Sequence, residues 1–141
     1  MSIDNSASFL IANAILTALH PTSATATIGT KTITYPISIR LMTTNGNATT
    51  LGTELATGGS YTAGTGISVG ANWAAAAAGS QATSATVSQT NMPATTVVGI
   101  ELWDASATKQ RTEFGALTSS KTTSAGDTLS FASGAITSAL A

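Results

Sequence analysis

The sequence predicts a mainly β fold: an antiparallel β-sandwich or jelly-roll-like domain carrying one N-terminal α-helix. Three observations carry this expectation. Short runs of alternating apolar and polar residues begin after Thr22 and recur to the end of the chain. Turn-forming Gly, Asn and Asp separate them at intervals of about eight to twelve residues, the spacing of sandwiches and small barrels. Helical spacing of apolar residues is confined to the segment from Phe9 to Leu19. Residues 1–141 are therefore assigned to a single β-rich domain, with a helix over 5–20 and a sandwich over 22–141.

Taken in order, Asp4, Asn5 or Ser6 can cap the helix and Pro21 lies just beyond its end. Phe9, Ile15, Leu16 and Leu19 recur near helical spacing, and Leu10 and Ile11 widen the apolar face. The helix serves either as a lid on the β core or as an arm that docks on a neighbouring subunit. Its apolar run has signal-peptide length, and Ala24-Thr25-Ala26 has the small residues of a cleavage site. No Lys or Arg precedes the run, however, and Asp4 does, so a retained helix is expected. The run is also too short to span a bilayer.

Ala24 to Ile33 alternates and is rich in Thr, with Gly29 and Lys31 marking a turn and an edge. Tyr35 to Met42 is the clearest strand: Ile37, Ile39 and Leu41 share one face, Ser38 and Arg40 the other. Asn45-Gly46-Asn47 signals a turn. A strand is expected from Tyr61 to Val69, with Gly64 and Gly66 as bulges or points of close approach. The alanines from Ala74 to Ala78, after Trp73, suit either a helical turn or an extended strand. Further strands are expected over Ala82 to Ser88, Val97 to Trp103, Gln110 to Leu117, Thr128 to Phe131 and Ala135 to Leu140. Pro93, Asp104-Ala105-Ser106 and Ser124-Ala125-Gly126-Asp127 break the chain between them.

Composition narrows the function. Only 8% of the residues are charged, against about 25% in ordinary soluble domains, and the net charge is −1. Such a surface has no field to attract phosphates, so nucleic acid is not an expected partner, nor is a membrane. Ala, Thr, Ser and Gly supply well over half of the chain, and the large side chains include only three Phe, two Trp and two Tyr. At about 25 cal/mol per Å² of buried apolar surface, small residues give a thin core that intersubunit contacts would reinforce. Cysteine is absent, so no disulfide or thiolate site is available. The low net charge and many β-branched residues also argue against a wholly disordered chain.

The second half resembles a known family. Gly99-Ile100-Glu101-Leu102-Trp103-Asp104-Ala105, then Phe114-Gly115-Ala116-Leu117, Lys121, Gly126-Asp127-Thr128-Leu129-Ser130-Phe131 and Gly134-Ala135-Ile136-Thr137 follow its order. The family comprises small virion proteins of tailed bacteriophages, labelled tail fibre or minor capsid (decoration) proteins. The first half is similar in layout: the helix, Ile37–Thr44, then Gly58-Gly59-Ser60-Tyr61, where a Ser interrupts Gly-Gly-Tyr. The resemblance implies a non-enzymatic component located in the virion.

Residues with catalytic or binding chemistry are few. A single His and no Cys leave little for a nucleophile–base pair, and His20 at the helix end suits a structural or capping role. Glu101, Asp104 and Asp127 supply oxygens but no acidic loop dense enough for Ca²⁺, and solvated turn residues are expected. Gly64-Thr65-Gly66 with Gly70 lacks the Lys and helix of a phosphate cradle. Trp73, Trp103 and Phe114 are aromatic enough for a sugar platform, but core packing is expected. No catalytic, cofactor or metal residue is assigned.

These readings lead to a phage capsid decoration or minor capsid protein, present in many copies and stabilising the shell. The alternative is a tail fibre or tail-tip component that helps bind the host surface. A secreted or surface β-module of the bacterium itself would require Phe9–Leu19 to be a signal. Expected partners are the major capsid protein, copies of the chain itself, or both, with a trimer among the candidate states.

Overall fold

The structure, a computed structural model, describes residues 5–140, with side chains described from Leu10 onward. The expected capping by Asp4, Asn5 or Ser6 and the packing of Phe9 lie outside the described side chains. Helix α1 spans Asn5–Leu19, matching the expected segment. Leu16 is buried, while Leu10 and Ile11 are 71% and 53% exposed, so only part of the apolar face meets the domain.

Two strands read from the alternation form the centre. Strand β3 (Ser38–Thr44) pairs antiparallel with β8 (Thr95–Trp103), setting Ile39 opposite Leu102 and Leu41 opposite Ile100. Side chains paired in this way share a face. The inner face therefore carries Ile39, Leu41, Ile100 and Leu102, and the outer face carries Arg40, Met42, Gly99 and Glu101. Strand β9 (Arg111–Thr123) extends the sheet beyond β8, and β4 (Thr53–Glu54) and β5 (Ile67–Ser68) pair with the other side of β3.

Between β4 and β5 the edge of β3 would be left open, and Tyr61 fills the gap. Its hydroxyl accepts the Leu41 N–H at 3.1 Å and donates to Glu54 Oε1 at 2.8 Å. Burial pushes this phenol well above its usual range, the Leu41 bond opposes that shift, and the Glu54 carboxylate adds to it.

Against the inner face lie short ribbons. Strand β6 (Ser80–Ala82) pairs with β11 (Thr137–Ala139), and β7 (Val87–Gln89) pairs with β10 (Leu129–Phe131). A third ribbon, a true hairpin, joins β1 (Thr25–Ile28) to β2 (Lys31–Thr34) around Gly29. Val87, Leu129, Phe131 and Ile136 meet Ile39, Leu41 and Leu102 in one core. The fold is thus mainly β and antiparallel with one helix, and its second layer is broken into two-stranded ribbons.

Four local expectations are corrected. Tyr61 to Val69 contains only the two-residue strand β5, because residues 62–66 turn tightly, with Gly66 N–H bonded to Thr62 O at 3.0 Å. Ala82 to Ser88 is not one strand: β6 ends at Ala82 and β7 starts at Val87, because the chain bends at Ser84 and Ala85, where the Ser84 N–H leaves β11 and bonds Asn72 O at 2.9 Å. Strand β9 runs to Thr123, well past Leu117, and its register against β8 shifts between Val97 and Gly99. The alanine run forms neither a helix nor a strand: isolated bridges join Trp73 to Thr83 and Ala77 to Ser80, the second closing a tight turn at Ala78 and Gly79.

Gly66 shows where the backbone itself sets the residue. Its φ is +67°, and a Cβ there would lie 2.3 Å from the Ile39 carbonyl oxygen. Gly66→Ala is expected to destabilise the domain by about 1–3 kcal/mol or more from the left-handed conformation and the clash. A urea unfolding midpoint checks this; an unchanged midpoint would show that β3 and the turn can separate freely.

Candidate functional site

The outer face of the sheet carries two charge-centred clusters, around Glu101 and around Arg40. Glu101 is almost fully buried, and every bond it makes is internal. Oε1 accepts Gly52 N–H and Arg111 Nη1, each at 2.8 Å, and Oε2 accepts Trp103 Nε1 at 3.1 Å. Arg111 reaches on to Asn47 O at 2.6 Å and Thr50 O at 3.2 Å, and its guanidinium lies 4.7 Å from the Phe114 ring centroid. The Glu101–Arg111 pair therefore pins the 45–52 loop onto the sheet. Asn47 shapes that loop through its own Oδ1, which accepts Thr49 and Thr50 N–H.

Arg40 makes a parallel arrangement. Its guanidinium lies 3.9 Å from the Trp103 ring centroid, Nη2 donates to Gly64 O at 3.0 Å, and Glu54 Oε2 is 3.5 Å from Nη1. Lys109 Nζ also donates to Gly64 O, at 2.6 Å. This glycine loop thus offers a carbonyl to cations, while the Gly64, Thr65 and Gly66 N–H groups are consumed by Glu54 and Thr62. A phosphate cradle requires those N–H groups free and pointing outward.

The carboxylates weighed for Ca²⁺ are separately occupied. Asp104, also buried, accepts Gln110 N–H, Ser106 Oγ–H and Thr34 N–H, which ties β2 to the turn between β8 and β9. Asp127 accepts Ser124 N–H within its own turn. Among the described residues no three His, Asp or Glu side chains come together as a metal cluster. Asp104 and Glu101 are buried anchors, which corrects the expectation that they are solvated turn residues.

The three aromatics are not brought together either. Trp73 belongs to the inner core as expected, but Trp103 lies under Arg40 and Phe114 is 47% exposed on the outer face of β9, which corrects the core packing expected of these two.

A second cluster surrounds His20, at the end of α1. The ring is buried and stacks on Trp73 with centroids 3.8 Å apart. Nδ1 lies 2.9 Å from Gln81 Oε1, and the amide is oriented by its Nε2 donating to Ala74 O. Nε2 lies 2.8 Å from Glu113 Oε1, an ion-pair contact rather than a well-angled hydrogen bond. Ser138 Oγ–H donates to the other oxygen of Glu113. Only a ring carrying protons on both nitrogens could donate to Gln81 and pair with Glu113 at once. Burial alone would raise the Glu113 carboxyl; the bond and charge of His20 and the Ser138 hydroxyl outweigh it and hold the group below the usual carboxylate range.

Ser138, His20 and Glu113 do not form a hydrolytic relay. That relay needs the carboxylate on the ring nitrogen remote from the serine. Here serine and carboxylate both approach Nε2, and Gln81 occupies Nδ1. The expected structural role of His20 is therefore what the geometry supports, although its partners were not foreseen from the sequence. One signal was there to find: Glu113 shares the alternation phase of Gly115 and Leu117, the inward phase of β9.

The surface offers a different kind of site. Leu10, Ile11, Leu51, Phe114 and Leu140 are the large apolar side chains exposed among the described residues. Phe114 and Leu140 border a hollow floored by Leu16 and Leu19 of α1. Strand β9 is a sheet edge, and from Phe114 to Ser120 it carries no charge of the kind that blunts natural edges. No described helix is long and apolar enough to cross a membrane.

Glu101→Ala is expected to cost about 3–5 kcal/mol, because it leaves the Arg111 guanidinium and the Gly52 N–H unpaired in a buried site. Chemical denaturation of the purified variant measures the loss. A cost under about 1 kcal/mol would mean that water replaces the carboxylate at little expense.

Comparison with known proteins bears on the whole chain. The family model described as Podophage GP4 fiber I protein gp80 matches residues 7–139. No curated protein and no solved structure gives a significant match. The match covers the first half, where the resemblance was one of layout, as well as the motifs from Gly99 to Thr137. The chain therefore belongs to the podophage GP4 fiber I protein gp80 family and is a structural component of a phage virion.

Proposed function

We propose that the chain is a non-catalytic fibre module of the virion tail, assembled from copies of itself and contributing to contact with the host surface. The family match over residues 7–139 carries this reading, since the matched family is described as a fibre protein. The expected capsid decoration role rested on composition, and the family description gives it no added support.

The surface is compatible with assembly through like subunits. The exposed Leu10, Ile11, Phe114 and Leu140 supply apolar area, and the uncharged edge of β9 supplies unpaired backbone groups. The few charges are mostly spent within the subunit, so steering by a strong field plays little part.

Copy number separates fibre from shell. Quantitative mass spectrometry of purified virions is expected to find a few tens of copies at most, and a strain lacking the gene is expected to lose adsorption while its heads stay stable. Hundreds of copies, or fragile heads with normal adsorption, would overturn the fibre reading in favour of decoration.

A further inference from the structure

We infer that the His20–Glu113 pair is an acid-released latch that holds the C-terminal end of α1 against the domain. It stands apart from the fibre reading and rests on how α1 is attached. None of its described side chains, from Leu10 to Leu19, belongs to the main core; its described anchors are Leu16, the Asn13 Oδ1 bond to Gly79 N–H at 2.9 Å, and the His20 cluster. That cluster joins the first element to the edge strand and the last strand, through Glu113 of β9 and Ser138 of β11. The helix can therefore leave while the sheet and its core stay intact.

The latch takes the His20 ring as protonated on both nitrogens, and a buried cation needs its counter-ion. The His20 side chain has no exposure, whereas Glu113 is 25% exposed between two surface hollows and open to proton exchange. Protonating Glu113 would leave a cationic ring buried against a neutral acid, the uncompensated state that costs most. Moving the helix end out to water relieves it.

No other described titratable group faces the pair. The helix ends carry no acidic or basic residue, and β1, β6 and β11 have no titratable side chain. On β9, Arg111 is committed to Glu101 on the opposite face, and Lys121 pairs in register with Val97, well along the strand. The sign follows from the depressed carboxyl of Glu113. Its stabilisation is present above the ordinary carboxylate value of 4.5 and is lost as pH falls through the lower folded value.

Hydrogen exchange of the intact chain, corrected for intrinsic rates and read by mass spectrometry from pH 7 to about 3, tests the latch. Residues 10–20 are expected to lose protection by about tenfold or more below pH 4.5, while β3 and β8 keep theirs. Glu113→Gln, which cannot titrate there, should lack this step. In a Trp103→Phe background, Trp73 emission should change over the same pH range as the ring leaves its face. Protection of α1 persisting at pH 3, loss of helix and sheet together, or the same step in Glu113→Gln would each overturn the latch.

Discussion

The antiparallel pairing of β3 with β8 is the constraint on which the rest of the structure depends. Both strands are covered on both faces, so alternation cannot send their polar residues to water. Ile39, Leu41 and Leu102 turn inward and make the core, which forces Arg40 and Glu101 onto a face that loops close over. A buried charge without a partner is costly, so each requires an arrangement around it. Glu101 gathers Arg111, Gly52 and Trp103; Arg40 gathers Trp103, Glu54 and Gly64. The loops at 45–52 and 61–66 are thereby fixed, and Tyr61 closes the gap the short strands leave.

Seen this way, the low charge content has a structural meaning. With so few large apolar side chains, the core is thin, and buried ion pairs and hydrogen bonds give the loops unique positions. The buried and half-buried charges are internal clamps; Lys31, Lys109, Lys121 and Asp127 stay exposed, on a surface otherwise left to Thr, Ser, Ala and a few large apolar side chains such as Leu51 and Phe114. A surface of that kind suits contacts between subunits of a virion, where apolar area and backbone edges make the interface.

What was legible in the sequence was whatever two-residue periodicity and turn chemistry encode. The alternation of Ile37, Ile39 and Leu41 located β3, and the apolar run from Val97 to Trp103 located β8. Gly29 and Ser124–Asp127 fall at turns. The break between β6 and β7 was not legible, because Ala, Thr and Ser alternate without contrast and their pattern cannot mark a corner. Nor could Ala74 to Ala78 declare itself, since alanine carries too little apolar area to show a face. Burial of Glu101 and Asp104 was hidden for another reason: their N–H donors come from Gly52, Thr34 and Gln110, and Gly52 and Thr34 are far apart from them in sequence. The Glu113–His20 contact joins residues still farther apart.

The claim that the buried charges act as internal clamps is tested most directly by a double-mutant cycle on Glu101 and Arg111, using Glu101→Gln and Arg111→Met with unfolding free energies for all four proteins. The account predicts a coupling of about 1–3 kcal/mol, as for buried groups in one hydrogen-bonded network. Additivity within about 0.5 kcal/mol would contradict it and would return both residues to the solvated surface.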